Sequence, residues 1–214
     1  MDKKDQYKIF IDYLLEVNAH TNLTTITDID EIKIKHIEDS LSVLDLIKEN
    51  DKVLDIGSGA GFPGIPLAIE KKIDLTLIDS VNKKVKFMNQ AIEKINLQNA
   101  RAIHARAEDF AKDNREKYDV VVSRAVANMT TLSELCLPFV KVGGIFIALK
   151  GPKADEELEE AKNAIKILGG KVIDIERFDL SGNERANIVV KKIYPTNNKY
   201  PRGKNLPKNK PLKF

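Results

Sequence analysis

The stretch Val53–Gly61, with the sequence VLDIGSGAG, decides the fold of this chain. It begins as a short, mostly apolar strand and continues into three alternating glycines, which let the backbone turn sharply and approach a ligand closely. A second apolar run, Leu75–Ser80 (LTLIDS), has Asp79 near its end, and an acidic residue there can accept hydrogen bonds from a ribose diol. Together the two runs predict a nucleotide-type cofactor site in an open α/β sheet.

Two classes of cofactor compete for this site. The run Gly59–Gly64 reads G-x-G-x-x-G, and Asp79 lies 20 residues beyond Gly59, which is the spacing of a dinucleotide site. Counted from Gly57, where the strand ends, the pattern is G-x-G-x-G, and Asp55 precedes it within the strand. A carboxylate there repels a pyrophosphate and suits a cationic, amine-bearing ligand. We therefore favour S-adenosylmethionine; a dinucleotide, or a plain strand-to-helix turn, is the alternative.

Composition indicates an ordinary folded α/β chain. It has 214 residues, of which 43% are hydrophobic, and no apolar run approaches the length of a membrane span. The charged N-terminus lacks a signal-peptide pattern, so we expect a cytoplasmic protein, and a monomer. The sequence has a single cysteine, Cys136, which excludes an internal disulfide and a zinc cluster, and we expect no metal site. Cys136 lies in an apolar helical pattern, so we expect it to pack in the core.

Charge is distributed unevenly along the chain. The net charge is +3, yet residues 191–214 contain eight Lys and Arg and no Asp or Glu. Residues 1–190 therefore hold 27 basic and 32 acidic side chains. A basic tail on an acidic body favours an anionic polymer, RNA or DNA, as partner. The alternative is a solvated, disordered terminus.

Hydrophobic periodicity predicts helices at the start of the chain and then a regular alternation of strands and helices. The expected helices cover residues 6–17, about 29–48, 62–70, 82–95, 130–140 and 153–168. The expected strands cover residues 52–56, 73–79, 100–104, 118–123, 143–149, 171–178 and 187–193. Such alternation implies a mostly parallel sheet covered on both faces, and the last two strands, with no helix between them, should form an antiparallel hairpin. This seven-stranded sheet resembles the class I methyltransferase (Rossmann-like) fold. We divide the chain into an N-terminal helical extension (1–48), a cofactor-binding domain (49–194) and a basic tail (195–214).

The exit of the fourth strand, at Ser123 and Arg124, should face the acceptor, because ligands in open α/β sheets bind beyond the carboxyl ends of strands. The Asn/Asp-Pro-Pro-Tyr element typical of exocyclic-amine methyltransferases is not in this position. No cysteine lies nearby either, and enzymes that methylate a pyrimidine carbon need one as nucleophile. An acceptor that is already nucleophilic fits better, and guanine N7 has a lone pair in the ring plane. Arg124 would position such an acceptor; a structural ion pair is the alternative.

Several motifs resemble one family, the bacterial small-subunit ribosomal RNA guanine-N7 methyltransferases, also called glucose-inhibited division protein B. These motifs are Asn18–Thr24, His36–Leu41, Asp55–Ala68, Asp79-Ser80 with Lys83-Lys84, Arg106–Glu108, Ser123–Ala125, Lys150-Gly151 and Tyr200–Arg202. The resemblance implies transfer of a methyl group from S-adenosylmethionine to N7 of guanine 527 in 16S ribosomal RNA, with the RNA or the small ribosomal subunit as partner. A small-molecule methyltransferase and a non-catalytic, nucleotide-sensing RNA-binding module are the alternatives, and a dehydrogenase is a more distant one.

Pattern and resemblance together give the candidate site residues. We expect the cofactor to contact Asp55, Gly57, Ser58, Gly59, Gly61, Phe62, Asp79, Ser80, Ala107, Glu108 and Arg124. We expect Ser123 and Arg124 to act on the reacting groups, and the RNA to contact Lys150, Lys199, Arg202 and Lys204. Asn205 stands where the family usually has glycine; asparagine tolerates positive φ, so the turn should survive, unless Gly203 takes over that role.

Overall fold

The computed structural model describes residues 1–124 and 126–212. Its strands form one seven-stranded sheet in the order β3-β2-β1-β4-β5-β7-β6, which is mostly parallel, as the sequence predicts. The chain divides into two compact units, an N-terminal unit (Met1–His104) and a C-terminal unit (Ala105–Phe214). Ala125 of the strand-exit motif and Lys213 of the basic tail lie outside the described residues.

The N-terminal unit contains three parallel strands and the helices that pack against them. Its elements are α1 (Lys3–Thr21), α2 (Ile29–Ile32), a π-helical turn (Lys33–Glu38), α3 (Asp39–Leu41), a 3-10 turn (Leu44–Leu46), β1 (Lys52–Ile56), α4 (Gly64–Glu70), β2 (Asp74–Asp79), α5 (Asn82–Lys94) and β3 (Ala100–His104). In the register of β1 and β2, Asp55 lies opposite Leu77, and in that of β2 and β3, Asp79 lies opposite His104. Asp79 therefore ends the central strand of this unit, as predicted.

An aromatic cluster joins α1 to the core of the N-terminal unit. Phe10 of α1 is fully buried, and its ring centroid lies 5.3 Å from that of Phe62 and 6.4 Å from that of Phe87 on α5. Tyr13 stacks on Phe87 at 5.4 Å. Burial of large aromatic side chains is among the strongest contributions to packing. The helix that opens the chain is therefore part of this unit's core.

The predicted helical region over residues 29–48 is present as a series of short segments. It begins where expected, because the Asp28 carboxylate caps it by accepting from the backbone N–H groups of Asp30 (3.0 Å) and Glu31 (2.9 Å). The π-helical turn follows, and the Ser40 hydroxyl donates back to the carbonyl of His36 within it at 2.5 Å. A side chain that bonds back into the helix ladder disturbs its regular pattern, which periodicity alone does not reveal.

The C-terminal unit contains four strands. Its elements are α6 (Ala107–Asn114), β4 (Tyr118–Arg124), α7 (Met129–Cys136), a 3-10 turn (Leu137–Phe139), β5 (Val140–Lys150), α8 (Ala154–Ile167), β6 (Gly170–Leu180), β7 (Asn183–Lys192) and α9 (Leu206–Asn209). β4 and β5 are parallel, and β7 pairs antiparallel with both β5 and β6, which confirms the predicted hairpin. The hairpin extends beyond the predicted bounds of both strands, and the added ends of β6 and β7 are largely polar, so no apolar run marks them in the sequence.

The chain after β7 folds back onto the C-terminal unit. Tyr200 and Leu212 are buried, and the carbonyl of Pro207 accepts from the Thr131 hydroxyl of α7 at 2.9 Å. The Arg115 guanidinium donates to the carbonyls of Thr196 (2.7 Å) and Tyr200. Residues 195–212 are thus ordered by internal contacts. Across residues 1–124 and 126–212, every helix is too short or too polar to cross a membrane.

Candidate cofactor and RNA site

The glycine loop after β1 adopts a conformation that only glycine accepts easily. Gly57, Gly59 and Gly61 have φ values of 71°, 60° and 89°. A Cβ added to Gly61 would clash with the side chain of Ile65, whereas one added to Gly59 would meet only the carbonyl of Gly57, at 3.9 Å. The backbone at Gly59 is therefore open to close approach by a ligand, which is what a cofactor loop requires.

Asp79 is held rigidly at the end of β2. One carboxylate oxygen accepts from the backbone N–H of Gly59 at 3.1 Å and the other from that of Val81 at 2.8 Å, and Lys84 Nζ lies 4.0 Å away. Each carboxylate oxygen has two acceptor positions, so these contacts leave capacity for further hydrogen bonds. The carboxylate thus fixes the glycine loop and keeps unused acceptor positions. The adjacent Ser80 is exposed, and its carbonyl accepts from His104 Nε2 at 3.0 Å.

Asp55 supports the loop from inside. It is fully buried, and its Oδ2 accepts from the backbone N–H of Gly64, the first residue of α4, at 2.9 Å. A Cβ on Gly64 would lie only 2.9 Å from this oxygen, so glycine is needed for the contact. A dinucleotide places its pyrophosphate at such a helix N-terminus. Here a carboxylate already occupies that position, which disfavours a dinucleotide.

The other loop residues lie in the same region of the N-terminal unit. Ser58 is buried, and its hydroxyl donates to the carbonyl of Asp55 at 2.9 Å. The ring of Phe62 packs on Phe10 and also stacks on His36, with centroids 4.7 Å apart. The predicted cofactor residues of this unit are therefore brought together, with Asp55, Ser58 and Phe62 beneath the loop rather than on its open face.

Sequence reasoning gave no role to a cluster beside Phe62. His36 Nε2 lies 2.8 Å from the Thr24 hydroxyl, and the buried Asn18 side chain accepts from the N–H groups of Leu23 (2.6 Å) and Thr24 (2.9 Å). These contacts tie the segment after α1 to the ring that supports the glycine loop. The only sequence signal for the cluster is that its residues belong to the motifs that carry the family resemblance.

In the C-terminal unit, the predicted cofactor residues Ala107 and Glu108 begin α6. Ala107 is buried and Glu108 is half-buried. An acidic residue in the first turn of a helix is favoured by the helix dipole, so Glu108 has a structural reason to be here as well as its predicted role. Ser123 is fully buried near the end of β4, and Arg124, the last residue of that strand, is half-buried.

Lys150 has a different environment from the exposed RNA contact that the sequence predicts. Its side chain is only 7% exposed, and its Nζ donates to the carbonyl of Ala127 and to Glu157 Oε2, each at 2.6 Å. Glu157 lies on α8 and was not among the predicted site residues. Nothing local in the sequence marks it as the partner of Lys150.

The basic side chains from Lys192 to Lys210 fall into two groups. Arg202 makes a bidentate contact with Glu134, a buried residue of α7, at 2.8 and 2.7 Å, and this bond raises the pKa of its guanidinium. Lys192 is buried, and desolvation lowers its pKa to about 8 despite the nearby Glu116. The second group is exposed and consists of Lys199, Lys204, Lys208 and Lys210.

A cavity of about 840 Å³ opens between α6 and the tail. Four cationic side chains line it, together with two acidic ones, and the cations are Arg106, Lys112, Arg115 and Lys204. Asn205, the residue after Lys204, has φ of 56°, and its side chain accepts from Arg106 at 2.7 Å. Asn205 thus adopts the positive φ that asparagine was expected to tolerate. No cluster of three or more metal-ligating side chains occurs in the described parts of the chain.

The strand order, the glycine loop after β1 and the acid that ends β2 define a class I methyltransferase fold. Among solved structures, the chain is similar to M. jannaschii TYW2 in complex with AdoMet, with a TM-score of 0.60 and 21% identity over 74% of this chain and 76% of that one. At that level of identity the likeness concerns the fold.

Sequence relatives give the family. The family model described as GidB, rRNA small subunit methyltransferase G, matches residues 3–187. The chain is 49% identical to the ribosomal RNA small subunit methyltransferase G of Clostridium beijerinckii, over 98% of this chain and 92% of the relative. It is 46% identical to the protein of the same name from Lactobacillus helveticus, over 98% and 91%. The chain belongs to this family and is an S-adenosylmethionine-dependent methyltransferase. This membership favours a methyltransferase of ribosomal RNA over a small-molecule methyltransferase, a non-catalytic binding module and a dehydrogenase.

Proposed function

We propose that this protein transfers a methyl group from S-adenosylmethionine to N7 of a guanine in 16S ribosomal RNA of the small ribosomal subunit. The observation that carries the cofactor half of the proposal is the Asp79 carboxylate, which two backbone N–H groups hold at the end of β2 beside an open glycine loop. The family supports the RNA half, because its relatives are named for the small-subunit ribosomal RNA.

The residues of the N-terminal unit fit the cofactor. Asp79 would accept hydrogen bonds from the ribose hydroxyls of S-adenosylmethionine. The loop at Gly57 and Gly59 would allow the methionine end of the cofactor to approach the backbone. Asp55 would act indirectly, by holding Gly64 and hence the loop. In the C-terminal unit, Ala107 and Glu108 would contact the adenine. When bound, S-adenosylmethionine supplies an electrophilic methyl group on a sulfonium.

The acceptor assignment follows from the chemistry that the chain lacks around β4. The single cysteine, Cys136, is buried within α7, so a thiolate that attacks a pyrimidine carbon is not supplied from the strand exit. Guanine N7 needs no base to remove a proton, because its lone pair is already available. Positioning and electrostatics then suffice, and Ser123 and Arg124 are the residues proposed to provide them.

The RNA surface proposed here is the exposed basic face of the tail and the adjoining cavity. Lys199 and Lys204 are exposed, and Lys204 lines the cavity with Arg106 and Lys112. Cations of this kind neutralise phosphates and release counterions. Arg202, which the sequence also assigns to RNA, is proposed to act mainly by fixing the tail to Glu134.

The test is product analysis. Purified protein, labelled S-adenosylmethionine and small ribosomal subunits lacking the modification should yield labelled 16S ribosomal RNA, with 7-methylguanosine at a single position by nuclease digestion and mass spectrometry. Label at an exocyclic amine, a ribose or a pyrimidine carbon would contradict the acceptor assignment. We further propose that the protein acts as a cytoplasmic monomer, and light scattering of the purified enzyme tests its oligomeric state.

A further inference from the structure

The side chain of Lys150 is enclosed at the end of β5. It is 7% exposed, and its ammonium donates to a carboxylate oxygen of Glu157 and to the carbonyl of Ala127. A lysine that binds a phosphate presents its ammonium to the surface, because the phosphate must reach it. Here two internal acceptors, each at 2.6 Å, hold the ammonium inside the C-terminal unit.

Glu157 extends the same contact to a second point of the chain. Its Oε2, which accepts from Lys150, also accepts from the backbone N–H of Met129 at 2.9 Å. Met129 begins α7, and Asn128 caps that helix by accepting from the N–H of Thr131 at 3.0 Å. One ion pair therefore holds the segment between β4 and α7 at two places, the carbonyl of Ala127 and the amide of Met129.

That segment follows directly from the strand exit at Arg124. We infer that Lys150 and Glu157 are positioning residues for methyl transfer: they fix the segment 126–129 and hence the wall on the acceptor side of β4. The inference rests on the proposed function, because it assumes that the acceptor enters beyond β4. Methyl transfer is sensitive to geometry, and a misplacement of about 1 Å can lower a rate by about 10²-fold.

Three variants test this assignment. Lys150→Met removes the ammonium and keeps much of the side-chain volume, while Glu157→Gln removes the charge and keeps an oxygen that can accept from Met129. The double variant, Lys150→Met with Glu157→Gln, leaves no uncompensated charge, so it guards against a single variant that fails to fold. Lys153→Met and Glu156→Gln are matched controls, because both residues are exposed neighbours of the pair.

For Lys150→Met we expect kcat on small subunits to fall by about 10²-fold, with KM for the subunits and Kd for the cofactor within about twofold of wild type. The double variant should be no slower than this single variant, because the two residues act as one unit. The salt dependence of RNA binding should be unchanged. One outcome would overturn the inference: the salt slope of RNA binding falls by about 0.7 to 0.9 in Lys150→Met, and Glu157→Gln keeps the wild-type kcat. That pair of results is the behaviour of a lysine that contacts a phosphate.

Amide hydrogen exchange provides a second readout that does not depend on turnover. Peptides covering residues 126–132 should exchange faster in the double variant than in wild type and in the two controls, while peptides from β5 should be unchanged. Equal exchange in all proteins would overturn the inference. If wild-type protein fails to label the RNA, the proposed function is contradicted, and the exchange comparison still decides whether the ion pair fixes this segment.

Discussion

The Asp79 carboxylate has two separable tasks, and replacing it tests both. Asp79→Asn keeps the shape of the side chain and one acceptor oxygen, so it can still satisfy one of the two N–H groups, of Gly59 and Val81, from which the carboxylate now accepts. Asp79→Ala satisfies neither. Asp74→Asn is the matched control, because Asp74 begins the same strand and is 43% exposed, with Arg101 3.6 Å away.

The expected loss of affinity follows from the hydrogen bonds available. A hydrogen bond to a charged group contributes about 1.5 to 3 kcal/mol, and a neutral acceptor provides roughly half of that. With two ribose hydroxyls on one carboxylate, Asp79→Asn should lose about 1.5 to 3 kcal/mol. This corresponds to about a 10- to 100-fold weaker Kd for S-adenosylmethionine. Asp79→Ala should bind still more weakly and also lose stability, because two backbone donors lose their acceptor.

Titration calorimetry gives the Kd, and a denaturant melt gives the free energy of unfolding. We expect Asp74→Asn to bind the cofactor as wild type does. If Asp79→Asn binds with wild-type affinity while its stability falls, then Asp79 holds the glycine loop and takes no part in recognising the ribose, and the reasoning is refuted.

Four further predictions concern the C-terminal unit. Arg124→Ala should lower methyl transfer by about 10- to 10³-fold, well beyond any loss of cofactor affinity that calorimetry finds; normal turnover would assign Arg124 to a structural ion pair. Lys199→Met with Lys204→Met should lower the salt slope of RNA binding by about 1.4 to 1.8, whereas Arg202→Met should mainly lower stability, by about 3 kcal/mol or more, because the buried Glu134 loses its partner. Burial lowers the pKa of Lys192 from its ordinary value of 10.5 to about 8, so unfolding takes up a proton between pH 8 and pH 10.5. The free energy of unfolding should therefore rise with pH across this range by up to about 3 kcal/mol. The pH dependence of urea unfolding in wild type and Lys192→Met measures this difference, and parallel curves would contradict it.

The sheet and the glycine loop could be predicted because their signals are local. β1 is a short, mostly apolar run that is followed directly by Gly57, and β2 is one that ends at Asp79. Short apolar runs bounded by turn residues are typical of buried strands. The acid that excludes a pyrophosphate, Asp55, was also visible in the sequence. Its partner, the N–H of Gly64, required the structure, because the contact depends on how α4 returns over β1.

The partners of the basic residues could not be predicted, because they are distant in the chain. Arg202 is bound by Glu134, 68 positions earlier, and the carbonyl that holds Lys150 belongs to Ala127, 23 positions earlier. A sequence records the charge of such residues and not what neutralises it. The eight basic residues of the segment 191–214 therefore looked alike, whereas the structure separates the buried Lys192 from exposed ones such as Lys204.

The position of the methyl group tests the central claim most directly. Wild-type protein incubated with labelled S-adenosylmethionine and unmodified small ribosomal subunits should place label on 16S ribosomal RNA, and mass spectrometry of the digested RNA should find it as 7-methylguanosine at one site. Label confined to any other atom, or label on small molecules with none on the RNA, would contradict the account.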